Sequence, residues 1–123
     1  MRTGLVIYSS SIRRLTEFYC QVFGFDVQES DESYALLMTG DFELVLLETA
    51  MSKKALRTDS AREDTPIKPV FFIDVPLELI SQKIKENGGT VYQPKSWEFG
   101  GRQVCDGCDC EGNIFQLRVG KNT

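Results

Sequence analysis

The chain has 123 residues, 41% of them hydrophobic and 26% charged, with a formal net charge of −4. That is enough chain and enough apolar content for one globular domain with a hydrophobic core. The acidic balance argues against nucleic acid and against an anionic membrane as partners, since both require a clustered basic surface, and the absence of histidine removes the commonest transition-metal ligand and general base.

In chain order, GLVIYS (4–9) is β-branched and aromatic and reads as a strand. Three serines then offer helix-capping hydroxyls. Ile12, Leu15, Tyr19, Val22 and Phe23 follow at helical spacing, and Gly24 stops the helix. FDVQES, SYALLMTG and DFELVLLE read as three strands, the last two divided by Gly40-Asp41. Residues 49–68 are polar and mixed in charge, and read as a linker with one helical turn around Lys53 to Arg57. PVFFIDV (69–75) is a strand. Pro76 opens a helix lined by Leu77, Ile80 and Ile84, and NGG ends it. TVYQP is a strand, SWEFGGR a turn region, and RQVCDG and NIFQLRVG the last two strands.

Both halves therefore read β-α-β-β-β. The first strands, the helix stops and the second strands lie about 65 positions apart, while FEL (42–44) matches FQL (115–117) at a larger offset. Two copies of one unit predict a pseudo-twofold domain of α+β class, with module one over about 1–48 and module two over about 69–123.

The segment GRQVCDGCDCEGNIFQL carries Cys105, Cys108 and Cys110, a spacing that suggests a metal clamp. On an extended strand, however, Cys105 and Cys108 point to opposite faces, and two thiolates do not complete a tetrahedral zinc site. No apolar run approaches a membrane span, and the one near the N-terminus is too short for a signal peptide. The expectation is a cytoplasmic protein whose thiols are reduced and structural.

LTEFYCQVFGF (15–25) resembles the helix segment of the vicinal-oxygen-chelate superfamily, which includes glyoxalase I, bleomycin-resistance and extradiol-dioxygenase proteins. FGGR (99–102) and DCEGNIFQL (109–117) resemble its closing motif. The resemblance spans nearly the whole chain. It implies two βαβββ modules forming a curved eight-stranded mixed sheet around a cavity. In the metal enzymes of the superfamily, one ligand sits on the first strand of each module and one on the fourth. Those positions fall here on Gly4, on Glu43 or Val45, on Pro69 and on Gln116. Glycine and proline side chains cannot ligate and a lone amide is a weak ligand, so the expectation is no metal and no other cofactor.

The resemblance then implies a metal-free, homodimeric small-molecule binder that sequesters an antibiotic or another aromatic compound. Two alternatives stay open: an enzyme of the same superfamily with an unusual metal or thiol site, and a non-catalytic protein-interaction domain. Strand parity from the ligand positions assigns Tyr8, Glu43, Phe71, Gln116 and Arg118 to the cavity side. Trp97 with Phe99 offers an aromatic wall, and Arg102 a site for an anionic ligand.

Overall fold

The computed structural model describes residues 1–54 and 61–120 of the chain. They fall into two compact units, Met1–Leu56 and Arg57–Thr123.

The first unit runs β1 (Thr3–Tyr8), α1 (Ile12–Phe23), β2 (Asp26–Ser30), β3 (Tyr34–Thr39), β4 (Phe42–Leu47) and α2 (Ala50–Lys54). Ser11 accepts from the Arg14 amide at 3.4 Å and caps α1, and Gly24 ends it. The buried stripe of α1 is Ile12, Leu15, Phe18, Tyr19 and Val22. Phe18, outside the predicted spacing, is wholly buried, and Phe23 is only half-buried. The sheet order is β1-β4-β3-β2, with β1 and β4 parallel and the other pairs antiparallel. The helix packs on β3 and β4, where Ala35, Leu37, Leu44 and Leu46 are fully buried. Each of the three leucines contributes about 1.5–3 kcal/mol of hydrophobic stabilisation.

The second unit runs β5 (Val70–Ile73), α3 (Leu77–Glu86), β6 (Thr90–Val91), β7 (Glu98–Phe99), β8 (Arg102–Cys108) and β9 (Ile114–Val119). Its sheet order is β5-β9-β8-β6, with β7 also paired to β8, and β5–β9 is the parallel pair. The doubled α+β pattern is thus present, as two mixed sheets of four and five strands.

Three local differences from the sequence reading have physical causes. The turn region contains β7, a two-residue strand joined to β8 through Gly100 and Gly101, whose φ values of 58° and 75° are left-handed. Two residues are too few to show a β period. The strand TVYQP forms a ladder only over Thr90–Val91. The Tyr92 amide still donates to the Asp106 carbonyl and the Lys95 amide to the Val104 carbonyl, so two residues loop out where Pro94 has no donor. In the expected linker, Thr49 and Ser52 exchange capping hydrogen bonds that open α2, while residues 55–57 of the predicted helical turn lie outside the described residues.

Gly4 is fixed by proximity. A Cβ there would lie 2.6 Å from the Glu43 carbonyl oxygen on the neighbouring strand. Gly4→Ala is expected to destabilise the chain by about 1–3 kcal/mol, as overpacking does. Val6→Ala, a change at an exposed position of the same strand, is expected to cost much less. Urea unfolding of the two variants checks this, and equal midpoints would show that the close approach is not a constraint.

Candidate functional site

Pairing partners share a sheet face, so the ladders assign the side chains. In the first unit Gly4, Val6 and Tyr8 stand opposite Glu43, Val45 and Leu47, which in turn stand opposite Met38, Leu36 and Tyr34. This is the face away from α1. Val6 and Tyr8 are about half exposed, at 52% and 49%, whereas Leu44 and Leu46 on the other face are fully buried. Tyr8 and Glu43 therefore lie on the face away from α1, and Val45 lies there with them. Glu43 is directly opposite Gly4.

In the second unit Val70 stands opposite Gln116 and Phe72 opposite Arg118. The Val70–Gln116 pair is the ladder counterpart of Gly4–Glu43, so the β5 residue opposite Gln116 is Val70 and not Pro69. This one-residue shift corrects the placement of Phe71. Phe71, half-buried, stands opposite Leu117 and meets the Phe115 ring edge-on at 5.8 Å, on the core side, which the buried Ile73 shares. Phe72, 63% exposed, takes the place proposed for Phe71.

The more exposed residues gathered on this second face are Val70, Phe72, Phe99, Gln116 and Arg118, beside the buried Val104 and Asp106. The Arg118 guanidinium lies 4.8 Å from the Phe99 ring centre and 5.9 Å from that of Phe72, within cation–π range of both. Its Nε donates to Gln116 Oε1 at 2.6 Å. Arg102 lies over Phe72 as well, at 5.4 Å. Its Nη1 donates to the carbonyls of Ile73 and Arg118, and its Nη2 pairs with Asp74. Those bonds tie the ends of β5, β8 and β9 together, which is a structural task. Trp97 and Phe99 do not form one wall. Trp97 has Lys95 over its ring at 5.8 Å and lines an open pocket of about 560 Å³ with Leu77, Glu78, Gln103 and Val119.

The sequence reading missed a buried charge cluster. Asp106 is fully buried, opposite Gln116 on β8. Its Oδ2 accepts from Lys68 Nζ at 2.8 Å and lies 3.8 Å from Lys95 Nζ, and Lys95 also pairs with Glu63 at 2.8 Å. Asp106 Oδ1 has no hydrogen-bond partner among the described residues. Strand parity could have placed Asp106 beside Gln116. Lys68 and Glu63, in the segment read as a linker, gave no signal.

The four cysteines are free thiols. Cys105 stands opposite Leu117 and Cys108 opposite Ile114, so they occupy opposite faces. Cys110 belongs to the turn that Asp109 closes by accepting from the amides of Glu111 and Asn113. Burial, and then the neighbouring Asp106 charge, push the Cys105 thiol up to about 11. Burial and a hydrogen bond to Cys108 push the Tyr92 hydroxyl up to about 12. Neither group is an activated nucleophile near neutrality.

The residues do not fit the metal site that the sequence resemblance implies. Position 4 has no room for a side chain, Val70 has no donor atom, and Gln116 Oε1 is occupied by Arg118. Among the described residues no group of three or more His, Cys, Asp or Glu could hold a metal ion.

These two units, one βαβββ and one with the short β7 added, each presenting one sheet face outward from its helix, define a glyoxalase-like fold. No family model and no curated protein sequence matches the chain. Solved structures do. A glyoxalase/bleomycin resistance protein/dioxygenase family enzyme from Burkholderia phytofirmans is similar at 22% identity and a TM-score of 0.63, over 94% of this chain and 95% of that one. The fosfomycin resistance protein of Listeria monocytogenes is similar at 16% identity and a TM-score of 0.69, over 98% and 92%. The bleomycin-binding protein of Streptomyces verticillus, in complex with copper(II)-bleomycin, is similar at 14% identity and a TM-score of 0.64, over 98% and 97%. The fold is that of the vicinal-oxygen-chelate superfamily. No helix among the described residues is long and apolar enough to cross a membrane.

The raised thiol and phenol set a pH dependence. Both groups resist ionisation in the folded chain, so the stability they contribute is intact below about pH 9. It is lost as pH rises through their folded values near 11 and 12. The melting temperature is therefore expected to fall from pH 9 to 11, and less steeply in Cys105→Ala. Identical slopes for the two proteins would exclude Cys105 as a contributor.

Proposed function

We propose that the protein binds a small organic molecule on the outward face of the module-two sheet, without a metal. One observation carries this reading. Phe72 and Phe99 lie within cation–π range of Arg118, which Gln116 orients, and Val70 stands beside them on the same face. Large rigid rings with few, well-placed polar groups are the usual make-up of a small-molecule site. The bleomycin-binding neighbour supplies a precedent in this fold for capture of a compound. Sequestration of an antibiotic or another aromatic compound, by a cytoplasmic homodimer, is the form of the activity that the sequence resemblance supports. Trp97 is assigned to its own pocket, and Arg102 to holding the strands beneath Phe72.

The test is a thermal-shift screen of planar aromatic compounds, followed by titration of the hits. Phe72→Ala and Phe99→Ala are each expected to weaken a hit about tenfold, as loss of an aromatic anchor does. Hits that are indifferent to both substitutions would remove the ligand from this face.

The binding reading makes no use of the buried Asp106. Asp106→Asn is expected to lower stability by about 1–3 kcal/mol through its charged hydrogen bonds while leaving affinity for a hit unchanged. Paired urea unfolding and titration check this, and a matching loss of affinity would make Asp106 part of the site.

A further inference from the structure

We infer that the ligand of this face is a planar organic monoanion, an aromatic carboxylate, held by Arg118 and Gln116. The inference rests on the binding reading above and adds to it the chemical class of the ligand.

The polar part of the face offers hydrogen-bond donors. Arg118 uses Nε to hold Gln116 Oε1, and its two terminal nitrogens have no partner among the described residues. The same bond fixes the Gln116 amide with its oxygen toward Arg118, so the Nε2 group is left to donate outward. The nearby acceptor, Asp106, is fully buried and holds Lys68. The other carboxylate beside the face, Asp74, is held by Arg102, so the uncommitted groups are donors, which select an acceptor-only group, and a carboxylate matches the fork of a guanidinium.

The charge of the ligand follows from which cations are already committed. Lys68 is paired with Asp106, Lys95 with Glu63 and Arg102 with Asp74. Arg118 has no carboxylate partner among the described residues. One uncommitted guanidinium in an acidic chain matches one negative charge, whereas a dianion would leave a charge unmatched.

The flat shape follows from the rings. The guanidinium lies between two exposed aromatic side chains, at 4.8 Å from one and 5.9 Å from the other. A carboxylate conjugated to an aromatic ring keeps its body close to the guanidinium plane and brings it over Phe72 or Phe99 for stacking. Gln116 thus becomes a positioning residue that fixes the arginine and supplies a second donor.

The experiment titrates the full chain with 2-naphthoate, its neutral isostere 2-naphthamide, and methylphosphonate, following backbone amides by NMR. Naphthoate is expected to bind about tenfold more tightly than naphthamide, the scale of one charge-assisted bidentate contact, and to shift the amides around Phe72, Phe99 and Arg118. Methylphosphonate, with a charged head and no ring, is expected to bind more weakly than naphthoate. Arg118→Gln should abolish the preference for naphthoate over naphthamide, and Arg118→Lys should keep part of it, with both variants confirmed as folded by their spectra. If naphthoate and naphthamide bind this face equally, or if the preference survives in Arg118→Gln, the anion inference is overturned and the binding reading stands. Tighter binding of methylphosphonate than of naphthoate overturns the planar class. If no compound shifts this face, the binding reading itself fails and the inference falls with it.

Discussion

The parallel pairing of the first and last strand in each module is the constraint on which the rest depends. In module one it lays Gly4 against Glu43, and in module two Val70 against Gln116. That register decides which side chains meet the helix and which face outward. It brings the strands so close at Gly4 that the backbone excludes any side chain. It also aligns Phe72 with Arg118, the pair around which the outward face of module two is organised. A shift of one residue in either pair would exchange that pair's faces, and in module two it would place Phe72 where Phe71 now packs on Phe115.

Much of this was legible in the sequence because helices and strands leave different periods. The spacing from Ile12 to Val22 indicated α1, the alternation in IFQLRV indicated β9 and the shared side of Gln116 and Arg118, and in FELVLL the single charge of Glu43 set the parity. Where alternation was absent, legibility failed. VFFI is hydrophobic at every position, so its parity had to be taken from an alignment at Pro69, and the one-residue error reversed Phe71 and Phe72. An edge strand with exposed aromatics and a buried strand look alike in such a run. The charge cluster was hidden for another reason. Lys68 and Asp106 are far apart in sequence, and Lys68 lies in a polar stretch that gave no sign of packing.

The cysteines show how spacing can mislead when it is read without geometry. C-x-x-C-x-C on a central strand and its following turn scatters three sulfurs over two faces and a loop. Burial then raises the Cys105 thiol, the opposite of what a metal ligand or a redox centre needs. The small size and weak polarity of cysteine suit β8, which is buried over much of its length and where even a Cβ at Gly107 would strike the Phe115 ring.

Gly4 also bears on how such a scaffold can change. A histidine at that position would have to push the Glu43 carbonyl aside, and with it the register of β1 on β4. A change of residue 4 to a ligating side chain therefore carries a stability cost of its own before any metal could be bound. Val70 carries no such barrier, being partly exposed and already bearing a side chain. Any route by which selection or a protein engineer installed a metal in this fold would start from the second module, and the first would act as a ratchet holding the site in its present chemistry.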